Sequence, residues 1–198
     1  MKRIISVILT VVSVLCAVFA FSGCGQKFNN KLPHKVALVR IDYGDSVNKK
    51  AQLSIANETE KFNFSGVDFF NKSNSKKVKK LVGGDRLEIY YTDENYENVD
   101  HILVQKAKVL TLEVEVGEVP GDPPNARDVY STSPNISINH TKYEVNWVID
   151  KSGNLIALSE FRDSDKLYGT FIEEEVEEVG RVKVKLHYIH ALYTYNPR

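Results

Sequence analysis

Cysteine is almost absent from this chain, which has only Cys16 and Cys24 among its 198 residues. Because both lie within the first 24 residues, no disulfide can cross-link the rest of the chain, and its fold must depend on a hydrophobic core. A zinc site needs three or four convergent ligands, and the histidines are scattered. His187 and His190 would point to opposite faces of a predicted strand, so we predict no metal site.

The chain also lacks an excess of charge of either sign, with 26 basic and 26 acidic side chains. A nucleic-acid-binding protein normally carries a basic excess, so we expect no nucleic-acid partner. The sequence contains no Gly-x-Ser-x-Gly, no Gly-x-Gly-x-x-Gly and no phosphate-binding loop motif. We therefore assign no catalytic residue and no cofactor. The sequence favours a non-enzymatic protein.

The N-terminus carries a short basic segment followed by a long apolar run. Lys2 and Arg3 precede an apolar stretch over 4–21, whose 18 residues lie at the lower limit for crossing a bilayer. This pattern fits a secretory signal peptide, and a plain membrane-spanning anchor is the competing interpretation. The next residues resemble the lipobox of bacterial lipoproteins, in which two small residues precede an invariant cysteine: Phe21-Ser22-Gly23-Cys24.

The lipobox resemblance implies that residues 1–23 are removed as a signal peptide. Cys24 would then begin the mature protein and carry a diacylglycerol through a thioether. Two acyl chains hold a protein stably on a bilayer, whereas one does not. We therefore expect the protein to be extracytoplasmic and lipid-anchored to the bacterial cell membrane. Residues 24–34 are polar, contain Pro33 and are predicted to form a short tether.

The chain beyond the tether is rich in β-forming residues, which predicts a mainly β fold with antiparallel sheets. Three strands, one short helix near 75–82 and further strands occupy 35–118, an order that resembles a small OB-type β-barrel. The helix is predicted because Val78, Leu81 and Val82 follow the i, i+3, i+4 spacing of an apolar helix face.

A proline-rich segment separates two predicted β regions. Residues 118–125 read EVPGDPPN, which predicts a linker over 119–135. Residues 136–198 are predicted to form a second antiparallel β domain, a β-meander that ends in one long strand over 181–195. The mature length is compatible with one domain or with two small ones.

Aromatic side chains are the best candidates for a binding surface. Partly exposed aromatic residues on a sheet can bind glycans or a partner protein, although packing in the core is their more common role. The candidate surface comprises Tyr90, Tyr96, Trp147, Tyr188 and Tyr193.

The expected anchor and the missing catalytic motifs favour a binding module at the cell envelope, with an envelope protein or glycan as its partner. Two alternatives stay open. An envelope hydrolase or glycan-active enzyme would need two carboxylates facing across a cleft, or a Ser–His pair. A small-ligand or peptide sensor would need a closed apolar cavity.

Mass spectrometry of the protein purified from bacterial membranes should find a chain that starts at Cys24 and carries the added mass of a diacylglycerol. The thioether can form only on a thiol, so Cys24→Ala should abolish the modification, whereas Cys16→Ala should leave it in place. An unmodified Cys24, or retention of residues 1–23, would contradict the lipoprotein interpretation.

Overall fold

A computed structural model gives the fold and describes residues 27–43, 50–117, 127–133, 136–139, 145–172, 174–179 and 182–198. The predicted signal peptide, Cys24 and most of the predicted linker lie outside these ranges. The mainly β class is confirmed, and the one helical segment in the described ranges is a 3₁₀ turn, Leu158–Glu160. Across these ranges, no helix is long and apolar enough to span a membrane.

The first half of the chain forms a six-stranded sheet. Its strands are β1 (His34–Asp42), β2 (Gln52–Ala56), β3 (Lys61–Phe62), β4 (Phe69–Asn71), β5 (Arg86–Tyr91) and β6 (Val99–Gln105). Their spatial order is β3-β2-β1-β5-β6-β4, with β4 parallel to β6 and the other pairs antiparallel. Alternate residues point to opposite faces, so Leu87, Ile89 and Tyr91 enter one core cluster together with Val39 and Ile102.

The second half contributes two further sheets. The second sheet contains β7 (Lys108–Val116), β8 (Arg127–Ser131), β10 (Trp147–Ile149), β11 (Leu155–Ala157), β12 (Lys166–Phe171) and β15 (Ala191–Tyr193). The third sheet contains β9 (Ile136–Asn139), β13 (Glu174–Val179) and β14 (Val182–Tyr188). The orders are β11-β10-β15-β12-β7-β8 and β13-β14-β9. Since β10 runs parallel to β15 and β9 parallel to β14, these sheets are mixed, which corrects the prediction of an antiparallel meander.

The prediction of a short helix near 75–82 is wrong. Asn71 Oδ1 accepts hydrogen bonds from the backbone N–H of Ser73 at 2.8 Å and from its hydroxyl at 2.6 Å, and Ser75 has a φ of 55°. The chain then turns back, and the N–H of Val78 donates to the carbonyl of Phe69 at 2.7 Å. Local side-chain hydrogen bonds of Asn and Ser compete with a helical ladder, and here they form a turn.

The predicted barrel over 35–118 is corrected as well, because the first sheet stays open in the described residues. A barrel would need the strand at 108–116 to close the sheet, but β7 pairs with β12 and β8 in the second sheet. The chain crosses between the sheets at residues 106–107, which separate β6 from β7.

The two large sheets meet in a shared core. Ile41 and Val82 from the first half pack with Ile149, Leu155 and Tyr193 from the second half in one buried cluster. Burial of such side chains contributes roughly 1.5–3 kcal/mol each, less the entropy lost on ordering them.

The centre of this junction is the carboxylate of Asp85, which is fully buried. It accepts backbone hydrogen bonds from Val82 at 3.0 Å and from Ala107 at 2.8 Å. The guanidinium of Arg198 pairs with the same carboxylate. Asp85 therefore connects three parts of the chain: the turn before β5, the crossing into the second sheet, and Arg198 in the segment that follows β15.

Two glycines before Asp85 allow the sheets to approach. A Cβ on Gly83 would lie 2.8 Å from the Cβ of Ala191, and Gly84 has a φ of +88°, a conformation that side chains other than glycine rarely adopt. The N–H of Gly83 donates to the hydroxyl of Tyr193 at 3.0 Å. The absence of side chains at Gly83 and Gly84 thus lets the backbone of this turn pack directly against β15.

Replacing Asp85 with alanine should lower the free energy of unfolding by about 3–5 kcal/mol, since it leaves two buried N–H groups and the Arg198 guanidinium without their acceptor. Urea unfolding with linear extrapolation measures this change. The control is Asp68→Ala, which removes an exposed ion pair with Lys77 and should cost less than about 1 kcal/mol. Equal losses in the two variants would contradict the assigned role of Asp85.

Burial raises the pKa of the Asp85 carboxyl above its ordinary value of 3.8, against the opposing hydrogen bonds and the charge of Arg198. The native state therefore holds this proton more tightly than the unfolded chain does. The part of the stability that is linked to this proton is complete below pH 3.8 and is lost as the pH rises through the folded-state pKa. Above that pH the ionised carboxylate keeps its backbone hydrogen bonds and its pair with Arg198. A carbon-13 NMR titration should place Asp85 above 3.8 and the exposed control Asp93 below it; the reverse order would contradict this.

Candidate functional site

An open cleft lies at the end of the first sheet where β1 begins and β5 ends. Its volume is about 480 Å³, within the roughly 300–1,000 Å³ typical of small-ligand sites. Three segments form it: the start of β1, the stretch that follows β3, and the loop between β5 and β6. Its polar and aromatic lining includes Lys35, Glu60, Asn63, Ser65, Tyr91, Tyr96, Glu97 and Asn98.

A second depression of about 370 Å³ shares the lining residues 61–64 with the cleft. The two depressions therefore adjoin along the edge strand β3, and we call them together the groove. At its far end the groove reaches Gln52, Ser54 and Leu53, whose surface is 50% exposed. This shape fits a segment of an extended polymer better than a compact molecule.

Tyr96 supplies an exposed aromatic ring to the cleft. The residue is 40% exposed, and its φ of 58° lies in the left-handed region that a bulky side chain rarely adopts. The Tyr91 ring contacts it edge-on, with 5.2 Å between centroids, and Lys35 Nζ lies 4.8 Å from its centroid. A strained backbone that presents an exposed ring is a feature of binding sites more than of cores.

The loop that carries Tyr96 is held by Asp93. This carboxylate accepts hydrogen bonds from the Asn98 side chain at 3.1 Å and from the Glu97 N–H at 3.3 Å. The bond from Asn98 is the main reason why the pKa of Asp93 lies below its ordinary value. The Thr92 N–H donates to the Asn98 carbonyl at 2.9 Å and closes the loop. These hydrogen bonds hold the backbone of the loop that carries Tyr96.

Most of the charge in the groove is paired. Lys35 Nζ lies 2.7 Å from Glu60 Oε1, and this hydrogen bond raises the pKa of Lys35 above its ordinary value. Lys61 Nζ lies 3.6 Å from Asp42 Oδ2. With Glu97, the groove is lined by two basic and three acidic side chains. It consequently offers hydrogen-bonding groups with little net charge.

The other predicted aromatic residues do not join Tyr96 in the groove. Tyr90 is 4% exposed, its hydroxyl donates to Glu88 at 2.9 Å, and burial raises its pKa to about 12. Tyr193 is equally buried in the core shared by the sheets, where burial raises its pKa to about 12. Trp147 on β10 and Tyr188 on β14 are half-buried, in the second and third sheets.

The candidate residues predicted from the sequence did not include Lys35, Glu60 or the Phe62-Asn63-Phe64 stretch, which line the groove with Tyr96. They are 25 residues or more from Tyr96 along the chain, and only the order of strands brings the three segments together. The alternation Phe62-Asn63-Phe64 was the one sequence pattern that could have indicated this part of the groove. In an extended segment, it places Asn63 on one side of the chain and the two phenylalanines on the other.

Comparisons with known proteins found no matching family model, no matching curated protein and no matching solved structure. In the part of the chain that the structure describes, no group of three or more His, Cys, Asp or Glu side chains could hold a metal ion. The groove around Tyr96 is therefore the site on which a functional proposal depends.

Proposed function

We propose that this protein is a membrane-anchored binding module of the bacterial cell envelope, and that its groove binds an uncharged segment of an envelope glycan. The observation that carries the proposal is the exposed Tyr96 ring in the lining of the groove, on a loop held by hydrogen bonds to Asp93. The lipobox resemblance at Cys24 supports the location.

The composition of the groove favours a saccharide over other polymers. Sugar rings present apolar C–H faces that stack on an aromatic ring, and their hydroxyls pair with amides such as Asn63 and Asn98. An anionic polymer would call for unpaired basic groups, but Lys35 and Lys61 both have acidic partners. An extended peptide would pair with a sheet edge, and β3 offers an edge of two residues only.

Titration with a soluble oligosaccharide of N-acetylglucosamine tests this proposal. We expect measurable binding by calorimetry, and about tenfold weaker binding by Tyr96→Ala, because stacking on one aromatic ring contributes about 1.4 kcal/mol or less. Tyr96→Phe keeps the ring and should bind with an affinity within about twofold of the parent protein.

The matched control is Tyr130→Ala, which removes a tyrosine of similar exposure (38%) from the second sheet, away from the groove. This variant should bind like the parent protein. No binding by the parent, or equal losses for the Tyr96 and Tyr130 variants, would contradict the proposal.

A further inference from the structure

The segment before β1 is bound to the first sheet through an aromatic contact. The Phe28 ring lies 4.7 Å from the His101 ring and 4.9 Å from the Phe70 ring. His101 stacks in turn on Tyr90 at 4.4 Å, and Tyr90 stacks on His34 at 5.0 Å. We call these five rings the ring row.

The ring row crosses three adjacent strands because of their register. His34 on β1 faces Tyr90 on β5, and Tyr90 faces His101 on β6. Side chains at facing positions lie about 5 Å apart on one face of a sheet, so the three rings stack directly. Phe28 continues this row from outside the strands. The surface that Phe28 contacts is therefore set by strand pairing.

Residues between Phe28 and β1 are also held by the backbone. The Lys31 N–H donates to Asn29 Oδ1 at 3.2 Å, and the Leu32 N–H donates to the Asn29 carbonyl at 3.3 Å. Pro33 offers its carbonyl to the N–H of Tyr91 at 2.9 Å. Residues 28–34, which sequence analysis predicted to belong to a tether, thus lie along the sheet.

This contact limits the distance between the sheet and the expected lipid. An extended chain spans at most about 3.6 Å per residue, so the Cα of Cys24 lies within about 14 Å of the Cα of Phe28. A tether that was free as far as His34 would reach about 36 Å by the same measure. Only three residues, 25–27, separate the lipidated position from a docked side chain.

We infer that the face of the first sheet that carries the ring row is the membrane-facing surface of the protein, with the lipid leaflet that holds Cys24 as its occupant. The inference rests on the lipid anchor of the proposed function. It specifies how the anchored domain is oriented relative to the bilayer. The domain does not rotate freely on an eleven-residue tether but presents one face to the bilayer.

The orientation explains how the groove stays accessible. His34 and Lys35 are consecutive on β1 and point to opposite faces of the sheet. His34 belongs to the ring row, and Lys35 lines the groove. The cleft around Lys35 and Tyr96 consequently opens on the face turned away from the bilayer, at the end of the sheet where β1 begins.

Fluorescence quenching on vesicles tests the orientation. The native lipoprotein is placed in vesicles of phosphatidylethanolamine and phosphatidylglycerol that contain a lipid with a spin-labelled headgroup. Because the Cys24 thiol is consumed by the lipid, a single added cysteine is the only free thiol for a dye. The two sites are Gln105→Cys, exposed on the ring-row face, and Ser65→Cys, exposed at the groove.

We expect the dye at position 105 to lose most of its fluorescence and the dye at position 65 to keep most of it. Adding Phe28→Ala should free the tether and bring the two signals close together. Equal quenching at both sites with Phe28 present, in protein that floats with the vesicles, would overturn the inference while leaving the anchor intact. Protein that fails to float would overturn the anchor and the inference with it.

Discussion

The structure depends on one buried carboxylate. Asp85 accepts hydrogen bonds from the turn before β5 and from the crossing into the second sheet, and it pairs with Arg198 beyond β15. No cysteine follows residue 24, so no disulfide joins the two sheets. In the described residues they are joined by this polar network, by hydrogen bonds from Gly83 to Tyr193 and from Ala51 to Gly153, and by the apolar cluster around them. A buried charge is costly to dehydrate, so its main contribution is structural specificity. Few arrangements of the two sheets give the Asp85 carboxylate all of its hydrogen-bond and ion-pair partners.

That geometry positions the parts of the molecule to which a function can be assigned. The cleft around Tyr96 and the ring row are on opposite faces of the first sheet, and the second sheet supports the far end of that sheet through Ile41 and Val82. Because β1 contributes both His34 and Lys35, the proposed membrane-facing surface and the proposed binding surface are one residue apart on the same strand. Binding at the groove would therefore occur close to the membrane, at a fixed orientation.

A strand with strong local alternation, such as β5 with Leu87, Ile89 and Tyr91 on its core face, could be predicted from the sequence, since the period of two needs no knowledge of neighbours. The helix near 75–82 was mispredicted because the competing hydrogen bonds join the Asn71 side chain to Ser73, before the residues with the helical apolar spacing. The strand predicted over 181–195 is two strands in different sheets, β14 and β15, which long-range pairing alone decides. Tyr96 was predicted as a candidate, but the groove around it is assembled from three distant segments.

The central claim is that the groove and the ring-row face are carried by a single cooperative body joined at Asp85. Native-state hydrogen exchange tests it most directly, through the backbone amides of Val82 and Ala107 compared with amides in β5 and β12. The account predicts that all of them exchange with the same free energy, that of global unfolding. Exchange of the Val82 and Ala107 amides through a smaller local opening, or of β5 at a lower free energy than β12, would contradict it.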